Sequence, residues 1–183
     1  MKLYQFSPIL DKDSLDAAIM HLHLEAHKLS KQTFERYLDN SGNIGIFCHY
    51  QGEYEYLKQL RDRLVKRSDN PDQKYFELVE PIVITATKDI PEATYTHLYI
   101  RKPDPYRAQV GDIDFRLEPA EYIELKQSML AGKQMVGART LDRVDLDMIE
   151  LFDPDIDVLA YVTTRKMTED VRLKISGGPT DLS

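Results

Sequence analysis

Several short segments carry side chains whose types and spacing suit the capture of a small charged molecule. Across residues 94–102, Leu98 and Ile100 alternate with Tyr95, His97, Tyr99 and Arg101. If the apolar pair packs on a helix, the other four form the opposite face of a strand. Across 112–117 the same period separates Ile113 and Phe115 from Asp112, Asp114 and Arg116. Tyr161 belongs to a further segment of this kind at 157–164, and 44–50 carries Phe47 and His49 opposite its apolar residues. Aromatic rings, cations and carboxylates gathered on one wall suit a small anionic ligand.

Other arrangements point to chemistry less directly. His21, His23 and His27 fall in a helical stretch, and His23 and His27 are four apart, the spacing by which one helix face offers two imidazoles to a metal ion. In His23-Leu24-Glu25-Ala26-His27, however, the glutamate is one position away from both HExxH and HxxEH, so it points off the ligand face. The expected role of these histidines is hydrogen bonding at a helix interface or in solvent. Gly111-Asp112-Ile113-Asp114 followed by Glu124-Leu125-Lys126 imitates the PD-(D/E)xK nuclease pattern, which needs Glu124 and Lys126 on a strand. Pro119, the spacing of Tyr122, Leu125 and Met129, and Gly132 predict a helix there instead. His21-Leu22-His23 and His97-Leu98-Tyr99 lack the usual form of the paired His-x-Ser/Thr of phosphoesterases. There is no Gly-rich phosphate loop, G-x-S-x-G elbow or CxxC pair.

Hydrophobic rhythm supplies the elements that would hold these residues. Over 111–164 it reads strand, helix, strand, strand, strand. Strands are expected at 112–117, 134–139, 144–152 and 157–164, with turns at Asp142-Arg143 and Asp153-Pro154-Asp155. Upstream, Leu15, Ile19, Leu22, Ala26, Leu29 and Thr33 recur at intervals of four and three, predicting one helix over 13–38, capped by Asp13 or Ser14 and stopped by Ser41-Gly42. Such a helix is about 40 Å long. Its apolar stripe suits either the chain's own sheet or a second copy of the chain. Residues 101–107, with two prolines, form a charged linker that could close over a ligand, and Gly177-Gly178-Pro179 marks a tail over 165–183.

The order βαβββ, with Phe152-Asp153-Pro154-Asp155 leading into Val158-Leu159-Ala160-Tyr161-Val162, resembles the repeating unit of the vicinal oxygen chelate superfamily, which includes the glyoxalase and bleomycin-resistance folds. The resemblance implies a second copy upstream, with strand 44–50, helix 53–66, a middle strand or two in 74–85 and a last strand at 94–102. The fold expected is α+β: paired βαβββ-like units, 43–102 and 111–164, forming a curved mixed sheet preceded by the long N-terminal helix. It also implies a cavity inside the curve, lined by Tyr95, His97, Tyr99, Arg101, Asp112, Asp114, Arg116 and Tyr161. Where such proteins hold a divalent metal, His49, His97 and Asp114 stand at matching positions, as in a metal-dependent lyase or dioxygenase. The chain departs from that pattern at the end of the second unit, where Tyr161 replaces an expected glutamate. A metal-free pocket, as in the bleomycin-resistance branch, suffers less from the change.

Length and charge narrow the classes further. A chain of 183 residues suits one domain with a substantial core. The net charge of −7, with both signs interleaved, argues against nucleic-acid or anionic-membrane partners. Cys48 is alone, so no internal disulfide can form, and no apolar run reaches signal-peptide or membrane-spanning length, so a cytoplasmic location is expected. The leading expectation is a binder of a small anionic molecule; a metal-dependent enzyme and a homodimer built on the long helix are the alternatives.

Overall fold

In a computed structural model, which describes residues 4–143 and 146–173, the apolar rhythms resolve into an N-terminal helix and a curved, mixed, seven-stranded sheet. The elements are α1 (Lys12–Phe34), β1 (Asp39–Phe47), α2 (Gln51–Leu64), β2 (Phe76–Ile84), β3 (Ala93–Arg101), β4 (Gly111–Arg116), α3 (Pro119–Leu130), β5 (Ala138–Arg143), β6 (Leu146–Leu151), β7 (Val158–Thr163) and α4 (Arg165–Asp170). The strand order is β2-β3-β1-β4-β7-β6-β5. In each unit the first strand lies parallel to the last, β1 beside β3 and β4 beside β7, and the antiparallel β1–β4 pair joins the units. The second unit is βαβββ, whereas the first uses the single middle strand β2 and is βαββ.

Several boundaries differ from expectation for identifiable reasons. The Asp11 carboxylate, rather than Asp13 or Ser14, caps α1 by accepting the Ser14 N–H at 2.7 Å. Glu35, at φ 59°, ends the helix in the left-handed region, so Ser41-Gly42 falls inside β1. Asp142 and Arg143, expected in a turn, belong to β5, which starts after Gly137 at φ 75°. Val144, expected to open the next strand, and Gly177-Gly178-Pro179 lie outside the described residues. The expected tail opens instead with α4, whose Thr164 hydroxyl accepts the Met167 N–H.

Period-two alternation then divides the sheet into two faces. Ile44, Ile46, Leu98, Ile100, Ile113, Phe115, Ile149, Leu151, Val158, Ala160 and Val162 form one buried layer. Helix α1 runs over β1, β4, β6 and β7 on that side, and Leu15, Ile19, Leu22, Ala26 and Leu29 meet the layer. The stripe is thus covered by the chain's own sheet, each large side chain contributing roughly 1.5–3 kcal/mol of burial. α2 packs beside β2 and β3, and α3 beside β5. His23 and His27 join this layer: His23 Nδ1 meets the Tyr95 hydroxyl at 2.9 Å, and His27 Nδ1 donates to the His23 carbonyl at 2.7 Å. Burial holds both imidazoles below their usual range, His23 at about 4. No described helix is long and apolar enough to cross a membrane.

The opposite face is covered by α4 and by the chain around Tyr75. The Lys74 and Tyr75 N–H groups donate to the Arg172 carbonyl at 2.8 and 3.1 Å, tying the two segments together. Tyr75, Met148 and Val171 form a second small apolar cluster with Tyr99 and Tyr161 packed against it.

Candidate functional site

Alternation along β4 sends Asp112, Asp114 and Arg116 to the face that α4 covers, away from Ile113 and Phe115. His97, Tyr99 and Arg101 of β3 and Tyr161 of β7 share this face. Tyr95 does not. The β2–β3 register shifts between Glu77 and Ile82, and Tyr95 turns into the α1 layer beside His23, so it leaves the expected cavity wall.

The middle of this face is filled by the protein itself. Asp112 and Asp114 are both buried, and the Tyr75 hydroxyl donates to Asp112 Oδ2 at 3.3 Å. Asp112 Oδ1 is buried without a hydrogen-bond partner among the described residues. It lies over Gly45, where a Cβ would stand 2.0 Å from that oxygen; a side chain and this carboxylate cannot occupy the position together. Burial raises the Asp112 carboxyl, with Lys74 and Arg101 opposing the shift. Burial and then the Asp112 charge push Asp114 up to about 7. Tyr75, between them and the cluster, is raised by burial and by the same carboxylates. Lys74 Nζ sits 5.5 and 5.0 Å from the Tyr75 and Tyr99 ring centroids, and Arg101 stacks over Phe47 at 4.9 Å while bonding Asp104 at 2.7 Å.

Beyond Asp114 the face opens. β1 is irregular here: Asn40 pairs with Phe115 but Ile44 with Ile113, so extra residues bulge out around Gly42, at φ 89°. The bulge sets the Asn43 side chain between two strands, where Nδ2 donates to Asp114 Oδ2 at 2.9 Å and to the Thr168 carbonyl at 3.3 Å. It also brings Ser41 to a cavity of about 150 Å³ beneath α4, lined by Ser41, Arg116, Arg165, Thr168, Glu169 and Arg172. Ser41 Oγ is buried and has no partner among the described residues. Arg172 Nε donates to Asn43 Oδ1 at 3.0 Å, and the Thr168 hydroxyl is 2.7 Å from that of Thr163. Among the described residues, three guanidinium groups therefore face one carboxylate. A hollow of about 360 Å³ between α3 and β5 is larger but holds no such set, and its Arg139 is committed to Glu150 at 2.7 Å.

Of these lining residues only Arg116 stands out in the sequence. Arg165, Thr168 and Arg172 fall in the segment read as tail, although spacings of three and four after a Thr cap are a helical signal. Asn43, Lys74 and Tyr75 carry no local signal, because only the pairing of distant strands brings them here.

The expected metal ligands do not converge. Asn43 of β1 pairs in parallel register with His97, and His49 lies six residues further along, roughly 20 Å away at strand rise. His49 is engaged elsewhere: its Nδ1 is 2.6 Å from Ser7 Oγ, and its ring stacks on Tyr4 at 3.8 Å. Among the described residues no group of three or more His, Cys, Asp or Glu is arranged to hold a metal ion. Glu124 and Lys126 lie in α3, so the nuclease geometry is also not formed.

No family model and no curated protein matches the sequence. Among solved structures the chain is similar to the structural-genomics protein EC4020, with 10% identity and a TM-score of 0.53, over 92% of this chain and 97% of that one. This likeness shows a shared fold. Two variants of Streptomyces coelicolor methylmalonyl-CoA epimerase, each in complex with 2-nitronate-propionyl-CoA, align over 69% of this chain and 98% and 97% of theirs. Their identities are 16% and 17%, and TM-scores of 0.30 and 0.28 leave the overlap too loose to set the fold.

Proposed function

We propose that this protein binds a small anionic molecule on the sheet face covered by α4, with the anionic group seated among Arg116, Arg165 and Arg172. The observation that carries the reading is the convergence of three guanidinium groups on one cavity against, among the described residues, the single carboxylate of Glu169. The Arg116 and Arg165 side chains make no hydrogen bond or ion pair with the described residues, so their donors are available to a ligand. Guanidinium forks match the oxygens of phosphate, sulfate and carboxylate, and Ser41 Oγ adds a neutral partner. A volume of about 150 Å³ suits the charged head of a ligand whose remainder extends outward.

Calorimetric titration with inorganic phosphate and with sulfate tests the proposal. Saturable binding is expected, weakened ~10-fold or more by Arg165→Met, which removes one charge-assisted contact from an exposed position. Binding unchanged in both Arg116→Met and Arg165→Met, or no saturable heat with either anion, would overturn it.

A further inference from the structure

This inference rests on the anion reading of the arginine cavity and concerns the carboxyl group behind its wall. Arg172 faces two ways. It lines the cavity, and its Nε donates to Asn43 Oδ1 at 3.0 Å, while Asn43 Nδ2 donates to Asp114 Oδ2 at 2.9 Å. Two hydrogen bonds thus lead from the proposed ligand position to a carboxyl group that is 1% exposed. We infer that anion binding in this cavity is coupled to proton uptake by Asp114, so that the ligand is held together with one proton and released as the surroundings turn alkaline.

The physical argument compares what faces Asp114 with and without the anion. From its own strand comes Asp112, a like charge; from the segment before β2 come Lys74 and Tyr75; from β7 comes Tyr161, its register partner; from the segment after α4 comes Arg172. Ionised Asp114 is favoured by the Asn43 donor and by the fields of Lys74 and Arg172, and opposed by burial and Asp112. Lys74 is shared with Asp112, where its charge opposes the shift most strongly. An anion among the three arginines offsets the field of Arg172 and leaves Asp114 facing Asp112 with less compensation. The carboxylate then takes a proton from bulk solvent and becomes a neutral acid, its carbonyl oxygen still accepting from Asn43. Asp114 stands at about 7, where a modest change of field alters its proton occupancy. Glu169, Glu77 and His97 also stand near Arg172; His97 is pushed down to about 4 and stays neutral through this range, and the Lys66 partner holds the Glu77 carboxyl below its usual value.

Sulfate is the probe, since it remains a dianion through the neutral range whereas phosphate itself titrates there. Titration calorimetry near neutral pH in two buffers of different ionisation enthalpy reads the protons taken up per sulfate bound. The wild-type chain is expected to take up a fraction of one proton, and its affinity to fall ~3–10-fold as pH rises by about two units through neutrality. Asp114→Asn, close in shape and neutral, is expected to bind sulfate with no proton uptake and a flat pH profile. Glu169→Gln, which removes the cavity's own carboxylate, is expected to retain the uptake. Sulfate binding without proton uptake in the wild type, or uptake that survives in Asp114→Asn, would overturn the coupling and leave the anion site standing. Absence of sulfate binding at every pH would overturn both.

Discussion

Asp114 and Asp112 show how a residue's neighbours, rather than its type, set its behaviour. Asp114 is held at about 7 in the folded chain against an ordinary value of 3.8, so the folded state binds its proton more tightly than the unfolded state does. Its contribution to stability is therefore greatest below about 3.8 and declines as pH rises toward 7. Asp114→Asn should accordingly stabilise the protein by roughly 2–4 kcal/mol at alkaline pH and by little in acid, as read by denaturant unfolding at both extremes. Gly45 is tied to the same pair, because a Cβ there would lie 2.0 Å from Asp112 Oδ1. Gly45→Ala should cost roughly 2–3 kcal/mol, and pairing it with Asp112→Ala should recover part of that loss in a double-mutant cycle. A cycle with strictly additive costs would show that the two positions do not share this space.

At the scale of elements, α1 and α2 each depend on contacts made far along the chain. Leu22 is fully buried between α1 and the sheet. Leu22→Asp should therefore unfold the protein, costing roughly 3–5 kcal/mol, instead of releasing a folded monomer from an assembly. Circular dichroism with size-exclusion chromatography separates those outcomes. Glu53, in the first turn of α2, anchors the N-terminal segment. Its Oε1 accepts from the Ser7 hydroxyl and the Ile9 N–H, both at 2.9 Å, and its Oε2 accepts from the His49 N–H at 2.8 Å. Glu53→Gln sets an amide N–H₂ against these donors and should cost roughly 1–3 kcal/mol, seen as faster amide exchange at Ile9 and His49. α1 is legible as an amphipathic segment and α2 is expected only through the family resemblance, yet the ends of α1 are not legible. Asp11 caps α1, and Glu35 stops it, because local hydrogen bonding and one left-handed residue outweigh the more conspicuous Ser41-Gly42.

At the scale of the whole molecule, the antiparallel β1–β4 pair is the seam on which both units are built, and parallel neighbours enclose it on either side. Amide exchange should be slowest in β1, β4 and β7, at the centre, and fastest in the edge strands β2 and β5; equal protection across the sheet would contradict this order. Period-two and helical rhythms are properties of short segments, so the chain by itself determined the α+β class, the βαβββ order of the second unit and the shared face of Asp112, Asp114 and Arg116. It also placed Glu124 and Lys126 on a helix, which removes the nuclease geometry. The cavity is different in kind. Ser41, Arg116 and Arg172 meet only because a bulge in β1, the β1–β4 register and the return of α4 bring positions more than a hundred residues apart to one end of the sheet. The same long-range packing filled the expected concavity with Tyr75, Met148 and Val171 and carried Tyr95 to the other side. Local periodicity says which face a residue takes, but only tertiary pairing decides what stands opposite it, and that decides which polar groups are buried together and which remain open to a ligand.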